Sequence, residues 1–284
     1  GAAGVKRVVA AMVDPNPLVS GQGLARLRES GVEAEAGLLE QEAAALNPGF
    51  IKRMAQGLPC CRCKLASSLD GRTSMASGES QWISSEASRR DVHRLRARSS
   101  AIVTGVGTLI ADDPSMTVRL SAADLPGLEP GEPIRQPLRV VVDSHLRTPA
   151  SARMLALPGG TLIACLTGAN PAGIDALSAA GARVQQFPEE RGRVHLEALF
   201  RWLAEQEINE VLLEAGSTLA GAALTGGLID ELVLYIAPHL MGDGARGLFQ
   251  LPGLTRMEHR IPLTIDEVRR IGPDLRLRLR PARL

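Results

Sequence analysis

The stretch from Val211 to Leu224 limits what this chain can fold into more than any other. Val211-Leu212-Leu213 is an unbroken apolar run of the kind buried on both faces of a parallel sheet. Gly216 follows as a turn, and the small residues from Ser217 to Leu224 form a helix that closes at Gly226-Gly227. A strand, a glycine turn and a helix N-terminus in that order make an anion site. The first-turn N–H groups have no intrahelical acceptor, and the aligned peptide dipoles place roughly half a positive charge there. Gly216 has no Cβ to hold a phosphate away from the backbone. Glu214 stands at the carboxyl end of the strand, where open α/β sheets bind ligands. These residues predict that the turn holds the phosphates of a nucleotide cofactor; the alternative is an ordinary strand-to-helix connection.

The rest of the pattern supplies a frame for that stretch. Strands are predicted over 60–65, 101–104, 138–142, 161–166 and 231–238, and helices over 84–98, 174–180 and 196–205. Strands alternating with helices imply βαβ units and an α/β fold with a mostly parallel sheet. At the end, Ile265 to Ile271, the turn Gly272-Pro273-Asp274 and Leu275 to Arg280 form an antiparallel hairpin. Its leucines alternate with arginines, which predicts one buried and one wet face. Aromatic residues make up only 2% of the chain, so the core must be built from Leu, Val, Ile and Ala. Upstream, a strand over 5–13, a helix over 23–30, a strand over 32–36 and a helix over 40–46 make one α/β unit, too small for a core of its own. Residues 51–58 are expected as the linker.

Charge and cysteine usage exclude several classes. A formal net charge of +1 argues against a nucleic-acid partner, which would demand a basic excess. No apolar run approaches the ~20 residues that span a bilayer, so no membrane partner is expected. The opening Gly1-Ala2-Ala3-Gly4 has no initiator Met and reads as the continuation of a longer chain, not a secretory signal. Three of the four cysteines crowd at Cys60, Cys61 and Cys63, which is no disulfide framework, and a cytoplasmic location is expected. Pro59-Cys60-Cys61-Arg62-Cys63 has the PCxxC spacing of zinc-dependent nucleobase deaminases, but their HxE partner is missing, since no His precedes His93. Cysteines on a strand read as small hydrophobes, and no metal site is expected. Lysine occurs only at Lys6, Lys52 and Lys64, so Lys64 is less readily explained as generic surface charge.

Three further motifs need weighing. Gly105-Val106-Gly107 is not a dinucleotide fingerprint, because Ile110 stands where the third glycine belongs. Asp112-Asp113 is either a carboxylate pair or, with Pro114, a turn. Asp143-Ser144-His145 is not a catalytic triad, since neighbours on an extended chain point to opposite sides.

A family likeness emerges from the motifs together. Lys64-Leu65-Ala66-Ser67-Ser68-Leu69-Asp70-Gly71-Arg72 and Ser77-Gly78-Glu79-Ser80-Gln81-Trp82-Ile83 resemble the reductase domain of the bacterial bifunctional riboflavin-pathway deaminase/reductases. Gly107-Thr108, Ala111-Asp112-Asp113-Pro114, Glu214 to Gly221, Ile236-Ala237-Pro238 and Gly272-Pro273-Asp274 match it in the same order. The resemblance runs from Gly4 to the C-terminus. It implies a dihydrofolate-reductase-like fold and NADPH-dependent reduction of 5-amino-6-(5-phosphoribosylamino)uracil, whose ribose becomes a ribityl chain. It makes residues 1–50 the end of a cytidine-deaminase-like domain and residues 59–284 the reductase domain. Zinc and deamination are then expected only of a longer parent protein, not of this chain.

The same likeness assigns a site. It puts NADP at Ala66, Trp82, Thr108, Asp112, Ser144 and the turn Gly216, Ser217, Thr218, Leu219, Ala220, Gly221 and Ala222. It puts substrate at Ser80, Arg96, Met116, Arg119 and Glu214. Trp82 offers a flat apolar face, and the Ser144 hydroxyl at a strand end suits a ribose or phosphate. Arg96 and Arg119 suit the substrate's phosphate, since a guanidinium fork matches phosphate oxygens. Glu214 is expected to accept from the pyrimidine N–H groups. Hydride passes to C1′ of the ribose, and Lys64 and Asp112 are the candidate proton donors, with nothing in the residues to separate them. A related reductase of another pterin or pyrimidine and a non-catalytic nucleotide sensor stay open as alternatives. The Leu/Arg hairpin is a possible homodimer edge by strand addition. NADP over NAD rests on the likeness alone, as no basic cluster is assignable to a 2′-phosphate.

Overall fold

Parallel strands need crossovers, and the connections in this chain are long enough to supply them. The computed structural model describes residues 4–125, 127–129 and 131–282; the expectation for Gly1 to Ala3 lies outside them. The first unit is β1 (Arg7–Ala10), α1 (Gln22–Glu29), β2 (Glu33–Ala36) and α2 (Glu40–Leu46), with β1 and β2 paired in parallel. Next comes α3 (Pro48–Gln56). The stretch expected as a linker is thus helical for most of its length, with Pro48 in its first turn and Gly57 (φ 64°) ending it. It is docked, because Lys52 Nζ lies 2.7 Å from Asp230, and a Cβ on Gly49 would fall 2.6 Å from the Asn209 carbonyl oxygen.

The main body follows as β3 (Cys60–Ser68), β4 (Arg72–Ser74), α4 (Glu86–Arg98), β5 (Ala101–Gly105), α5 (Val106–Asp112), β6 (Leu138–Val142) and β7 (Thr161–Leu166). Then come α6 (Pro171–Ala179), β8 (Arg183–Phe187), the small hairpin β9 (Glu189–Glu190) and β10 (Arg193–Val194), and α7 (Leu196–Glu205). The chain finishes with β11 (Glu210–Leu213), α8 (Ser217–Thr225), β12 (Glu231–Ala237), β13 (Arg246–Gly247), β14 (Leu263–Ile271) and β15 (Asp274–Pro281). The central sheet runs β14-β15-β12-β3-β11-β5-β6-β7-β8. From β12 to β8 every pairing is parallel; β15 and β14 add the antiparallel edge. This is the α/β architecture with a C-terminal hairpin that the alternation of elements implies.

The period-2 alternation of the strands divides the core into two faces. Cys61, Cys63, Val103, Val140 and Leu213 pack with Leu199, Phe200 and Leu203 of α7 and Ala220 and Ala223 of α8. Ile102, Val141, Ile163 and Leu212 pack on the other face with Val106 and Leu109 of α5 and Leu177 of α6. Burial pushes the Cys60 and Cys63 thiols up to about 12, so they serve as packing groups.

Several details depart from the sequence reading. The strand expected over 5–13 is only four residues long. The strand predicted over 60–65 runs on to Ser68, and β4 then pairs with β13. Gly105 leads directly into a helix, α5, for which no element was predicted. The strand β8 escapes the pattern because Arg183-Val184-Gln185-Gln186-Phe187 is mostly polar at the sheet's far edge. In β15 neither face follows the alternation throughout: Leu275 on the leucine face is 41% exposed, while Arg276 turns inward to Asp91 (2.8 Å) and Glu267 (2.9 Å). The reason is a partner on α4, since Asp91 also accepts from the buried Tyr235 hydroxyl at 2.7 Å. The edge strand β14 exposes Ile265 and Val268, so the edge considered for strand addition is open. Among the described residues no helix is long and apolar enough to cross a membrane.

Candidate active site

Adjacent parallel strands β5 and β11 each run straight into a helix at the same end of the sheet, which sets α5 and α8 side by side. Gly216 is the N-cap of α8 and has no side chain to satisfy the first-turn N–H groups. A Cβ there would point at Thr108 Oγ1, 3.7 Å away, and one on Gly107 would meet nothing within 4 Å. The backbone of both helix starts is therefore open to a cleft of about 1900 Å³. Ala66, Ser80, Trp82, Thr108, Asp112 and Ser144 line it, as do Gly216, Ser217, Thr218, Leu219 and Ala222. Two members of the expected turn do not. Ala220 is fully buried in the core, and Gly221 faces the loop after β13, where a Cβ would lie 2.3 Å from the Gln250 carbonyl oxygen. On a helix only one face can look into the cleft, and these two positions fall on the other.

A buried charge cluster forms the floor. Glu214, just after β11, is gripped by Arg96 of α4: Nε lies 2.6 Å from Oε1 and Nη2 3.0 Å from Oε2. Arg96 Nη1 also donates to the Thr117 carbonyl at 3.1 Å, and the two side chains are only 13% and 11% exposed. Burial alone would raise the Glu214 carboxyl, but the Arg96 guanidinium outweighs it and holds Glu214 below the usual range. Arg96 thus meets Glu214 through Nε and Nη2 and the Thr117 carbonyl through Nη1, and it lines the cleft. Lys64 of β3 lines the same cleft and makes no side-chain hydrogen bond among the described residues. Burial pulls its ammonium below the ordinary lysine value; Glu214 opposes that and Arg96 adds to it.

His93 is a member of this cluster that sequence reading overlooks. It sits one turn before Arg96 on the inner face of α4 and lines the cleft at 8% exposure. The i, i+3 spacing from Arg96 was the signal available. Burial, with Arg96 and Arg119 beside it, lowers its pKa to about 4, so the ring is neutral. The Arg119 backbone nitrogen lies 3.2 Å from Nδ1 and Arg119 Nε 3.3 Å from Nε2. A neutral imidazole accepts at one nitrogen only, so one of the two contacts is a hydrogen bond at a time.

The remaining expected residues take mixed positions. Met116 (φ 48°) lines the cleft but is only 3% exposed, packed with Val106 and Leu109. Trp82 is 69% exposed, with the Arg89 guanidinium 4.6 Å from its ring centroid. Asp112 ends α5 at the exposed rim, whereas Asp113 (φ 36°) accepts from the Arg153 N–H at 2.9 Å, so the apparent pair is split. Asp143 and Ser144 part in the same way: Asp143 is buried against Thr148, and the Ser144 hydroxyl accepts from the Val194 N–H at 3.1 Å. Among the described residues no three His, Cys, Asp or Glu side chains converge as a metal site requires.

A family model described as the RibD C-terminal domain matches residues 59–277. Riboflavin biosynthesis protein RibD of Escherichia coli is 47% identical over 280 residues, 98% of this chain and 75% of that protein. The chain belongs to the RibD family. The RibD match starts just beyond α3 and spans every element of the cleft. Among solved structures, an Acinetobacter baumannii RibD superposes with a TM-score of 0.85 at 40% identity, covering 99% of this chain and 74% of that one. A diaminohydroxyphosphoribosylaminopyrimidine deaminase/5-amino-6-(5-phosphoribosylamino)uracil reductase from Thermotoga maritima gives a TM-score of 0.80 at 25% identity, covering 99% and 73%. The chain spans about three quarters of the length of these relatives.

Proposed function

We propose that this chain reduces the ribose of 5-amino-6-(5-phosphoribosylamino)uracil with NADPH as the reductant. Membership of the RibD family makes it a reductase of riboflavin biosynthesis; the substrate and cofactor are the finer reading. The observation that carries it is the opening of the uncapped α8 N-terminus onto the same cleft as Lys64, Glu214 and Arg119. The chain fits the cofactor, because Gly107 and Gly216 leave the space a dinucleotide backbone needs. Gly216, Ser217 and Thr218 would hold its diphosphate, with Thr108, Asp112 and Ser144 along its length and Ala66 and Trp82 on its walls. When bound, NADPH supplies the hydride that reduces C1′ of the ribose.

The protein's own groups position the substrate and manage a proton. As the C1′–O4′ bond breaks, O4′ needs a proton, and Lys64 gives it. Burial makes its ammonium a stronger acid than an ordinary lysine, and the neighbouring Glu214 keeps the proton on until it is needed. Asp112, exposed at the rim, is assigned to the cofactor instead. Arg96 holds Glu214 in place to accept from the pyrimidine. Arg119 takes the phosphate, since it has no carboxylate partner among the described residues. Ser80 and the Met116 surface complete the substrate side.

The domain reading extends this. Residues 1–50 are the end of a deaminase-like domain and 59–284 the reductase. In support, β1 and β2 pair only with each other, and neither α1 nor α2 buries a residue. The HxE motif of a zinc deaminase is not in this sequence, so no deamination by this chain is expected. The test is oxidation of NADPH by the purified chain with the aminopyrimidine. Turnover that weakens sharply with a dephosphorylated analogue supports the reading. Binding without turnover would make the chain a sensor, and equal use of the analogue would point to another reductase.

A further inference from the structure

His93 is buried on the substrate side of the cleft, and both of its ring nitrogens face donors. It is 8% exposed and lines the cleft with Arg96, Met116 and Arg119. The Arg119 backbone nitrogen lies 3.2 Å from Nδ1, and Arg119 Nε lies 3.3 Å from Nε2. A neutral ring has one acceptor, so these two contacts compete. The backbone contact wins, because the segment that carries it cannot turn away. The Gln136 side chain accepts from the Val118 N–H at 2.8 Å and donates to the Val118 carbonyl at 3.2 Å. One residue earlier, the Thr117 carbonyl accepts from Arg96 Nη1 at 3.1 Å. The Arg119 side chain, by contrast, is exposed and can swing about its own bonds.

With Nδ1 accepting from that fixed N–H, the ring proton sits on Nε2. Nε2–H and Arg119 Nε–H are then two donors turned toward each other at 3.3 Å. Neither gains from the other, and an acceptor shared between them removes the conflict. The protein's own oxygens are committed elsewhere: the Thr117 carbonyl and the Glu214 carboxylate, which face the ring, are both engaged by Arg96. A buried donor left without a partner costs free energy, and an anionic oxygen offsets it with a charge-assisted hydrogen bond. A phosphate brings several such oxygens, enough for an imidazole N–H and a guanidinium together.

We infer that His93 is a substrate-binding residue: its Nδ1 fixes the backbone of Arg119, and its Nε2–H donates to an oxygen of the substrate's phosphate that Arg119 also holds. This rests on the placement of that phosphate at Arg119. The two ring positions can be separated, since an Asn side chain reaches about as far as Nδ1 and a Gln side chain about as far as Nε2. The test is equilibrium binding of the phosphorylated aminopyrimidine and of its dephosphorylated analogue to the full chain, with KM and kcat measured beside it. His93→Asn should lose about tenfold of its affinity for the phosphorylated ligand and raise KM with kcat little changed. It should bind the analogue as the wild type does, which also shows that it is folded. His93→Gln should recover most of the loss. An Asn variant that keeps the wild-type preference for the phosphorylated ligand, or weakens both ligands equally, overturns the inference, as does a Gln variant no better than the Asn one. Equal wild-type affinity for the two ligands would remove the phosphate from Arg119, and this role of His93 with it. A phosphate preference lost in His93→Asn, in a chain that does not oxidise NADPH with the aminopyrimidine, would sink the reductase reading and leave this site standing.

Discussion

The two ends of the parallel sheet treat their charges in opposite ways. At the amino end, Arg62 lies 2.8 Å from Glu231 and 3.4 Å from Glu210, Arg98 reaches Glu210 at 3.0 Å, and Lys52 reaches Asp230 at 2.7 Å. Each of these cations has its carboxylate. At the carboxyl end Arg96 is gripped by Glu214 at 2.6 Å, but among the described residues Lys64 makes no side-chain hydrogen bond and Arg119 meets only His93. Lys64 is half-buried without a partner, which lowers stability, so it persists where a ligand completes the site. The amino end is built for stability and the carboxyl end for an anionic guest.

Substitutions at matched positions on β3 separate the two ends most strongly. Lys64→Met should lower kcat for NADPH oxidation by roughly 100-fold or more and leave the protein at least as stable. The sign follows from linkage. With its folded pKa below the ordinary lysine value, Lys64 opposes folding at neutral pH, and stability rises only as pH climbs past that lowered value. A variant that keeps full turnover would remove Lys64 from the chemistry. Arg62→Met should do the reverse, costing about 3 kcal/mol in urea unfolding because Glu231 loses its cation, with kcat per folded molecule unchanged.

His93 carries the comparison into the pH dependence of stability. Its pKa is lowered from 6.5 to about 4 in the folded chain. Between those values the unfolded chain binds the extra proton, so stability falls as pH drops through that window, by about 3 kcal/mol. His93→Gln should flatten that part of a stability-versus-pH curve; an unchanged curve would mean the ring is not held neutral. The smallest effects test the glycines of α8. Gly216→Val should raise KM for NADPH about tenfold with little loss of stability, since its Cβ has room. Gly221→Ala should lower the melting temperature, because its Cβ would strike the Gln250 carbonyl.

What the sequence discloses, and what it hides, follows from how far each signal travels. The strand Thr161–Leu166 and the helix Leu196–Glu205 are local patterns and appear with the bounds read from sequence. The start of α4 is equally local, with the Ser85 hydroxyl accepting from the Ser88 N–H. The Gly216 corner was legible because a strand, a glycine and small residues are contiguous. The Arg96–Glu214 pair was not, since its partners are 118 residues apart and either one suits a ligand equally well. Ala220 and Gly221 lie off the cleft because the motif runs along the helix while the cleft sees a single face.

The most direct measurement is a crystal structure of this chain with NADPH. The account predicts the diphosphate on the N–H groups after Gly216 and the nicotinamide beside Lys64. A dinucleotide bound elsewhere, or a Gly216 corner closed off by its own chain, would contradict it.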